Sequence, residues 1–373
     1  MCAQIRVTTD AKRAPLVIDG SHGEGGGQIL RTAIAISAVT GRALRIVNIR
    51  AGRPKPGLAA QHLTAIRAAA ALCDARLKGD ALASQDLEFT PRRPVGAGSY
   101  RFDVAEARMG GSAGSATLVL QTVLVPLALA PSPSEVTIKG GTHVALSPSF
   151  DYVQKVWLPT LATMGISAEI DLVSWGWLPV GRGEIRASIP GRVAAPRPLV
   201  LVDRGHLRRI FGRAVAANLP PHIPRRMAAH TRALLHEVGL EVAIEEEVRT
   251  SACAGAGLFL VAEYERVRAG FDAMGARGKP AERVAEEAVM ALLSHQRSGA
   301  ALDAHLGDQI VLPAVLASGP SQFSVERVSR HLATNVWTVE RFGLASVNIA
   351  VAPSGTGMVT IRPLSRPSAF NRA

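Results

Sequence analysis

The strongest constraint on the fold of this chain is an internal repeat. A Gly-Glu-Gly-Gly-Gly run at 23–27 leads into an apolar, helix-like segment at 28–39, a turn at Thr40 and Gly41, and a β-rich stretch at 44–49. The same order returns at 110–114, where a Gly/Ser loop opens the apolar segment 115–130, a Pro/Ser turn follows, and 136–138 reads as a strand. It returns again near Gly307: 308–317 is apolar, Ser318-Gly319-Pro320 turns, and 322–325 is strand-like. A second helix accompanies each copy, at 58–72, 152–164 and 282–295, with apolar residues recurring at three and four positions, the mark of one buried face. Repeated strand and helix units predict an α/β fold in which each unit's sheet is covered by two helices.

The copies are unevenly spaced. Taking Gln28, Ser115 and Asp308 as helix starts, the second interval is about a hundred residues longer than the first, the size of a small domain. The surplus falls at 190–275, where the pattern changes to an arginine-rich start, a helix-like run at 224–238 and an alternating strand at 240–244. The expected organisation is therefore a large domain of three repeats at 1–189 and 276–373, with a small inserted α/β domain at 190–275. A chain of 373 residues, 47% hydrophobic and 19% charged, can bury such cores and is not disordered. Aromatics at 4% argue against a base-stacking platform. Cys2, Cys73 and Cys253 form no CxxC pair, which excludes a zinc ribbon or disulfide scaffold. The first fifteen residues lack the apolar core of a signal peptide, and 118–130 is too short to span a bilayer, so a cytoplasmic protein without a membrane partner is expected.

The net charge is +12, and only six of the 42 basic residues are lysines. Arginine's planar fork binds phosphate in a bidentate way, so this surplus suits a polyanionic partner; a compositional bias in an alanine-rich chain would produce it equally well. Local clusters decide. The glycine run follows a strand and opens a helix, which puts free backbone N–H groups and the positive helix end at one point, a natural anion site. It is not a Walker A loop, since no Gly-Lys-Ser/Thr follows. Glu24 inside it would repel phosphate unless a metal lay between, making it a candidate Mg²⁺ or Mn²⁺ ligand, or else a carboxylate stabilising the helix start. Downstream, Arg50, Arg53 and Lys55 share a Pro/Gly-stiffened loop, followed by Gln61 and His62, and Arg31 lies one turn into the first helix. Stiffened cations hold phosphate at low ordering cost. Near the C-terminus, His305, Asp308, Gln309 and His331 fall within one repeat unit. Either histidine could attack phosphorus if another group oriented its ring.

Several ungapped blocks resemble RNA 3′-terminal phosphate cyclases. They are Gly20-Ser21-His22-Gly23-Glu24-Gly25-Gly26-Gly27-Gln28-Ile29-Leu30-Arg31, the stretch from Ile49 to Leu58 continuing to Gln61-His62-Leu63, the stretch from Gly111 to Thr122, and the tail from His305-Leu306-Gly307-Asp308-Gln309 through His331-Leu332-Ala333-Thr334-Asn335. They are spread over residues 16–342, so the resemblance extends over nearly the whole chain. The resemblance implies three α/β repeats with a small insert before the third. It implies that His331 attacks ATP to form a covalent histidine-AMP, that AMP passes to an RNA 3′-phosphate, and that the neighbouring 2′-hydroxyl then closes a 2′,3′-cyclic phosphate. Adenylylation supplies the leaving group that a phosphate monoester lacks.

By the same resemblance, Gln121, His305, Leu306, Gly307, Asp308 and Gln309 contact the nucleotide. Glu24 meets the metal, and Arg31, Arg50, Arg53 and Gln61 line the phosphate and RNA pocket. Asp308 either orients His331 or touches the nucleotide. Two departures stand out: Gly181-Arg182-Gly183 interrupts a glycine run, and His143 replaces an acid. The partners implied are ATP and RNA with a 3′-phosphate end, with monomer or dimer left open. Three rivals remain: a non-catalytic, ribosome-assembly branch lacking the nucleophile, an enolpyruvyl transferase of similar repeats, and a basic RNA-binding protein without chemistry. The tail containing His331 argues against each.

Overall fold

The structure is a computed structural model that describes residues 14–107 and 112–364; Gly110 and Gly111 of the second glycine loop, with Cys2 and Lys12, lie outside them. The first unit comprises β1 (Leu16–Asp19), α1 (Gly27–Thr40), β2 (Leu44–Val47), α2 (Ala60–Cys73), β3 (Arg76–Lys78) and β4 (Leu87–Thr90). The second has β5 (Ser99–Asp103), α3 (Ala116–Ala128) and β6 (Ser134–Gly140). A helix in three pieces follows: α4 (Phe150–Tyr152), a π-helical turn (Val153–Trp157) and α5 (Leu158–Thr163). It closes with β7 (Glu169–Ser174) and β8 (Gly183–Ile189). After β9 (Val200–Leu201) come β10 (Leu207–Ala217), α6 (His222–His236), β11 (Val242–Arg249), β12 (Gly255–Tyr264), β13 (Arg268–Met274) and α7 (Ala281–Ser298). The chain continues with α8 (Leu306–Val315), β14 (Ser321–Val325), α9 (Arg330–Arg341), β15 (Ala345–Val351) and β16 (Gly357–Pro363).

Three four-stranded sheets share one topology. The orders β1-β2-β4-β3, β5-β6-β8-β7 and β9-β14-β16-β15 each pair the first two strands parallel, and the remaining pairs are antiparallel. The parallel pair requires a helical crossover, supplied by α1, α3 and α8. The fourth sheet is ordered β11-β10-β12-β13, with β10 and β11 parallel, so it is a different unit and not a further copy. Because β9 pairs with β14, the insert interrupts the third unit after its first strand instead of preceding that unit. The helix at 281–298 also departs from the expected arrangement. It packs on α6, β12 and β13 of the insert, and the second helix of the third unit is α9, which carries His331. An amphipathic helix announces a buried face but not the sheet that will cover it.

The three repeats are joined through their helices. α1 packs against α2, α3 and α9, and α8 packs against α9. α1 is apolar on nearly all sides, with Ile29, Leu30, Ile34 and Ile36 buried. Its C-terminus stops at Gly41, whose left-handed backbone (φ +72°) lets its N–H reach the Ser37 carbonyl at 2.9 Å. Among the described residues, no helix is long and apolar enough to cross a membrane.

One buried amide ties three helices together. Thr32 Oγ1 on α1 donates to Asn335 Oδ1 on α9 at 2.8 Å, and Asn335 Nδ2 donates to the Asp308 carbonyl on α8 at 2.8 Å. Replacing Asn335 with alanine leaves two buried polar groups without partners, so unfolding in denaturant should show a loss of about 2–4 kcal/mol. A loss below about 0.5 kcal/mol would mean that the helices do not depend on this amide.

Candidate active site

The loops after β1 and β2, the start of α2, and the N-terminal turns of α1, α8 and α9 converge on one region. The loop after β1 is anchored by Asp19, whose Oδ1 accepts from Ser21 N (3.0 Å), Ser21 Oγ (2.8 Å) and Asn48 Nδ2 (3.3 Å). Steric constraints account for part of its glycine content. Gly23 has φ +61°, and a side chain there would collide with Thr334 Oγ1 on α9; at Gly27 it would collide with His62 Nε2. The loop is pinned to α9 twice more, by Glu24 N donating to Thr334 Oγ1 at 3.0 Å and by the His22 ring stacked on Trp337 with centroids 3.9 Å apart. His22, Thr334 and Trp337 were not anticipated from the sequence, since each is an ordinary polar or aromatic residue until the fold joins positions more than 300 apart in sequence.

His331 stands at the second position of α9, just after its cap, where Ser329 Oγ accepts from Leu332 N at 3.0 Å. Its side chain is about half exposed, at 46%. Partial burial, followed by the cationic neighbourhood of Arg31, His305 and Arg53, holds its pKa below the ordinary histidine value, so a neutral imidazole with a free lone pair is favoured at neutral pH. Glu24 Oε2 lies 3.9 Å from His331 Nδ1, and among the described residues this is the only carboxylate oxygen within 4 Å of that ring. Glu24 Oε1 is paired with Arg53, which also donates to the Glu24 carbonyl at 3.1 Å, whereas Oε2 is buried and accepts no hydrogen bond.

The remaining candidates surround this group. Arg31 is held by Gln28, one turn back on the same helix, and burial lowers its pKa to about 10 despite the nearby Asp308 charge. Asp308 is buried, which raises its pKa to about 7 against the pull of Arg31. Its carboxylate forms no ion pair with His331 within 4 Å, so the carboxylate near the histidine is Glu24. Gln121 Nε2 donates to Gln309 Oε1 at 2.7 Å, joining α3 to α8 across a cleft also lined by Gln28, Arg31, Asp308 and Asn335. His305 is exposed at the head of α8; Leu306 is buried, and Gly307 allows α8 to approach the Val325 side chain on β14. Arg50 and Gln61 are held by their own neighbours. Arg50 donates to the Gly57 carbonyl at 2.7 Å, and Gln61 Oε1 accepts from Ser115 N at 3.0 Å.

Two comparisons bear on this geometry. The family model described as RNA 3′-terminal phosphate cyclase matches residues 22–349. A protein of that name from Methylococcus capsulatus is 62% identical over 93% of this chain and 96% of its own length. A namesake from Gloeothece citriformis is 50% identical over 90% and 95%, and one from Methanopyrus kandleri is 41% identical over 93% and 98%.

His62, noticed only as a neighbour of Gln61 in the sequence, is part of the site. It is 5% exposed, its Nδ1 accepts from Ala59 N at 3.2 Å, and its Nε2 faces Gly27. Burial, then Arg31 and Arg50, lower its pKa from 6.5 to about 3. In the unfolded chain His62 takes up a proton as pH falls through about 6.5, whereas the folded protein keeps it neutral down to about 3. Its contribution to stability is therefore fully present above 6.5 and is lost as pH falls toward 3, at up to about 1.4 kcal/mol per pH unit. Denaturant titrations between pH 4 and 7 should show that slope reduced in His62→Gln; identical slopes in the two proteins would refute the assignment.

Proposed function

The chain belongs to the RNA 3′-terminal phosphate cyclase family, and we propose from that membership how its residues carry the reaction. The substrates are ATP and an RNA ending in a 3′-phosphate, and the product is a 2′,3′-cyclic phosphate formed through a covalent histidine-AMP and an A-pp-RNA. The observation that carries our reading is the half-exposed His331 at the start of α9, with Glu24 Oε2 3.9 Å from its Nδ1 and the Arg53–Glu24 pair behind it. The non-catalytic branch, which lacks this histidine, gains no support from any feature of the site.

In the first step Nε2 of His331, the nitrogen turned away from Glu24, attacks the α-phosphorus of ATP. A P–N bond forms and the P–O bond to pyrophosphate breaks. Arg31, Arg50 and Arg53 offset the charge building on the phosphate oxygens. An oxygen of the RNA 3′-phosphate next attacks the same phosphorus, the P–N bond breaks and the imidazole is restored. The adjacent 2′-hydroxyl then attacks the 3′-phosphorus, gives up its proton, and AMP leaves. Gln121 and residues 305–309 hold the nucleotide in this scheme, with Asp308 set against Arg31 and the nucleotide instead of orienting His331.

A divalent metal fits Glu24. Its Oε2 is a buried hard donor with no other partner, and Mg²⁺ or Mn²⁺ accepts one protein carboxylate with phosphate oxygens and water completing its shell. No group of three or more His, Cys, Asp or Glu residues able to hold a metal occurs among the described residues, so phosphate would have to complete the site. Bound there, the ion would neutralise phosphate charge that Glu24 otherwise repels. We place the chain in the cytoplasm on its free Cys73 and Cys253. We also divide it into a large domain of three repeats, expected at 1–189 and 276–373, and a small one expected at 190–275, with both boundaries moved by the packing. Val200–Leu201 then goes with the large domain and Ala281–Ser298 with the small one, following their packing.

Incubation with α-labelled ATP and Mg²⁺ should leave an acid-labile, base-stable label on the protein, the behaviour of a phosphoramidate. His331→Ala should abolish it and the formation of a phosphatase-resistant RNA end; equal labelling of the variant would defeat the proposal.

A further inference from the structure

We propose that Asp303 is a positioning residue that couples the inserted unit and the second repeat to the nucleotide-holding turn of α8; this rests on the reading that 305–309 hold ATP. Asp303 precedes α8, is 2% exposed, and meets four donors from three parts of the chain. Its Oδ1 accepts from His305 N and Leu306 N, both at 2.9 Å, which fixes the first turn of α8 in the manner of a helix cap. The Tyr152 hydroxyl from the second repeat donates to both oxygens, at 2.8 Å and 3.0 Å. Gly270 N–H, from β13 at the edge of the inserted sheet, donates to Oδ2 at 3.2 Å.

The fit is specific to these residues. An edge strand carries backbone donors that its own sheet leaves unpaired, and Asp303 receives one of them. Gly270 permits the contact because a side chain there would run into the Tyr152 ring at 2.6 Å. Burial, followed by the Asp303 charge, pushes the Tyr152 hydroxyl well above its ordinary range, so it remains a donor at any working pH. Beyond this turn, Asp308 and Gln309 project into the cleft beside Arg31 and Gln121. A shift of Asp303 therefore moves the groups proposed to hold ATP, while His331, on α9 behind its own Ser329 cap, has no direct link to it.

Removing one donor is gentler than removing the carboxylate. Tyr152→Phe keeps the ring against Gly270 and deletes the hydroxyl. In the self-labelling reaction with ATP and Mg²⁺, it should raise KM for ATP by about tenfold, the size expected for a hydrogen bond to a charged group. The labelling rate at saturating ATP should change by less than about threefold. Glu282→Gln serves as the control, since it breaks an exposed ion pair with Arg226 elsewhere in the inserted unit. It should leave KM unchanged at a comparable melting temperature. Gln309→Ala tests the site itself and should also raise KM. Combined with Tyr152→Phe, its effect should be less than the product of the two, because both act on one turn.

An unchanged KM in Tyr152→Phe, with Gln309→Ala raised, would overturn the positioning role alone. An unchanged KM in Gln309→Ala would overturn the nucleotide site and the proposal with it. A fully multiplicative double variant, or a rise in KM matched by Glu282→Gln, would reduce Asp303 to a structural cap.

Discussion

The amide of Asn335 is the point at which the first repeat is locked to the third. Among the described residues it is the one side chain that hydrogen-bonds both α1 and α8 from α9, linking residues 32, 308 and 335. Apolar burial alone would let these helices slide, because ridges of alanine, isoleucine and leucine pack in several registers at similar energy. A buried amide with both ends satisfied permits only one. The register it sets places the start of α1, with its glycine loop, beside the start of α9, and thereby brings Glu24 to His331. Site geometry and core geometry are the same constraint seen from two ends.

What the sequence makes legible follows from what is local. The apolar runs that become α1, α3 and α8 are bounded by glycine and proline turns, so each helix can be read from a dozen consecutive residues. The two-residue strand β9 cannot, since Val200–Leu201 is a strand only because β14, some 120 residues later, pairs with it. Hence the insert was read as preceding the third unit when it interrupts it. The helix at Ala281–Ser298 shows the same limit. Its buried face is plain in the sequence, but the choice between two sheets belongs to packing.

The site divides in the same way. Arg50 and Arg53 were legible as a stiffened cationic loop, and the glycine run as a helix entrance. That Arg53 would spend its charge on Glu24, and that Glu24 rather than Asp308 would lie nearest His331, depends on loops folding across the helix ends. The net charge alone does not locate a phosphate site, and many of the arginines are occupied elsewhere. Arg45, Arg209, Arg226, Arg232 and Arg268 are engaged with nearby acids on the surface. Such exposed pairs contribute little to stability. The arginines proposed to meet phosphate are fewer, Arg31, Arg50 and Arg53.

Three carboxylates near the nucleotide cleft illustrate how environment separates chemically similar groups. Asp303 accepts from four donors, so the group is fixed in place. Asp308 is buried, which raises its pKa to about 7 against the pull of Arg31, so it can give up or keep a proton as charge arrives beside it. Glu24 has one oxygen paired with Arg53 and the other buried without a partner, turned toward the histidine. An unpartnered buried carboxylate oxygen is costly, and a fold retains one where a cation completes it during the reaction. That difference separates Asp303, held on every side, from Asp308 and Glu24, whose carboxylates keep the freedom that the proposed roles beside nucleotide and phosphate require.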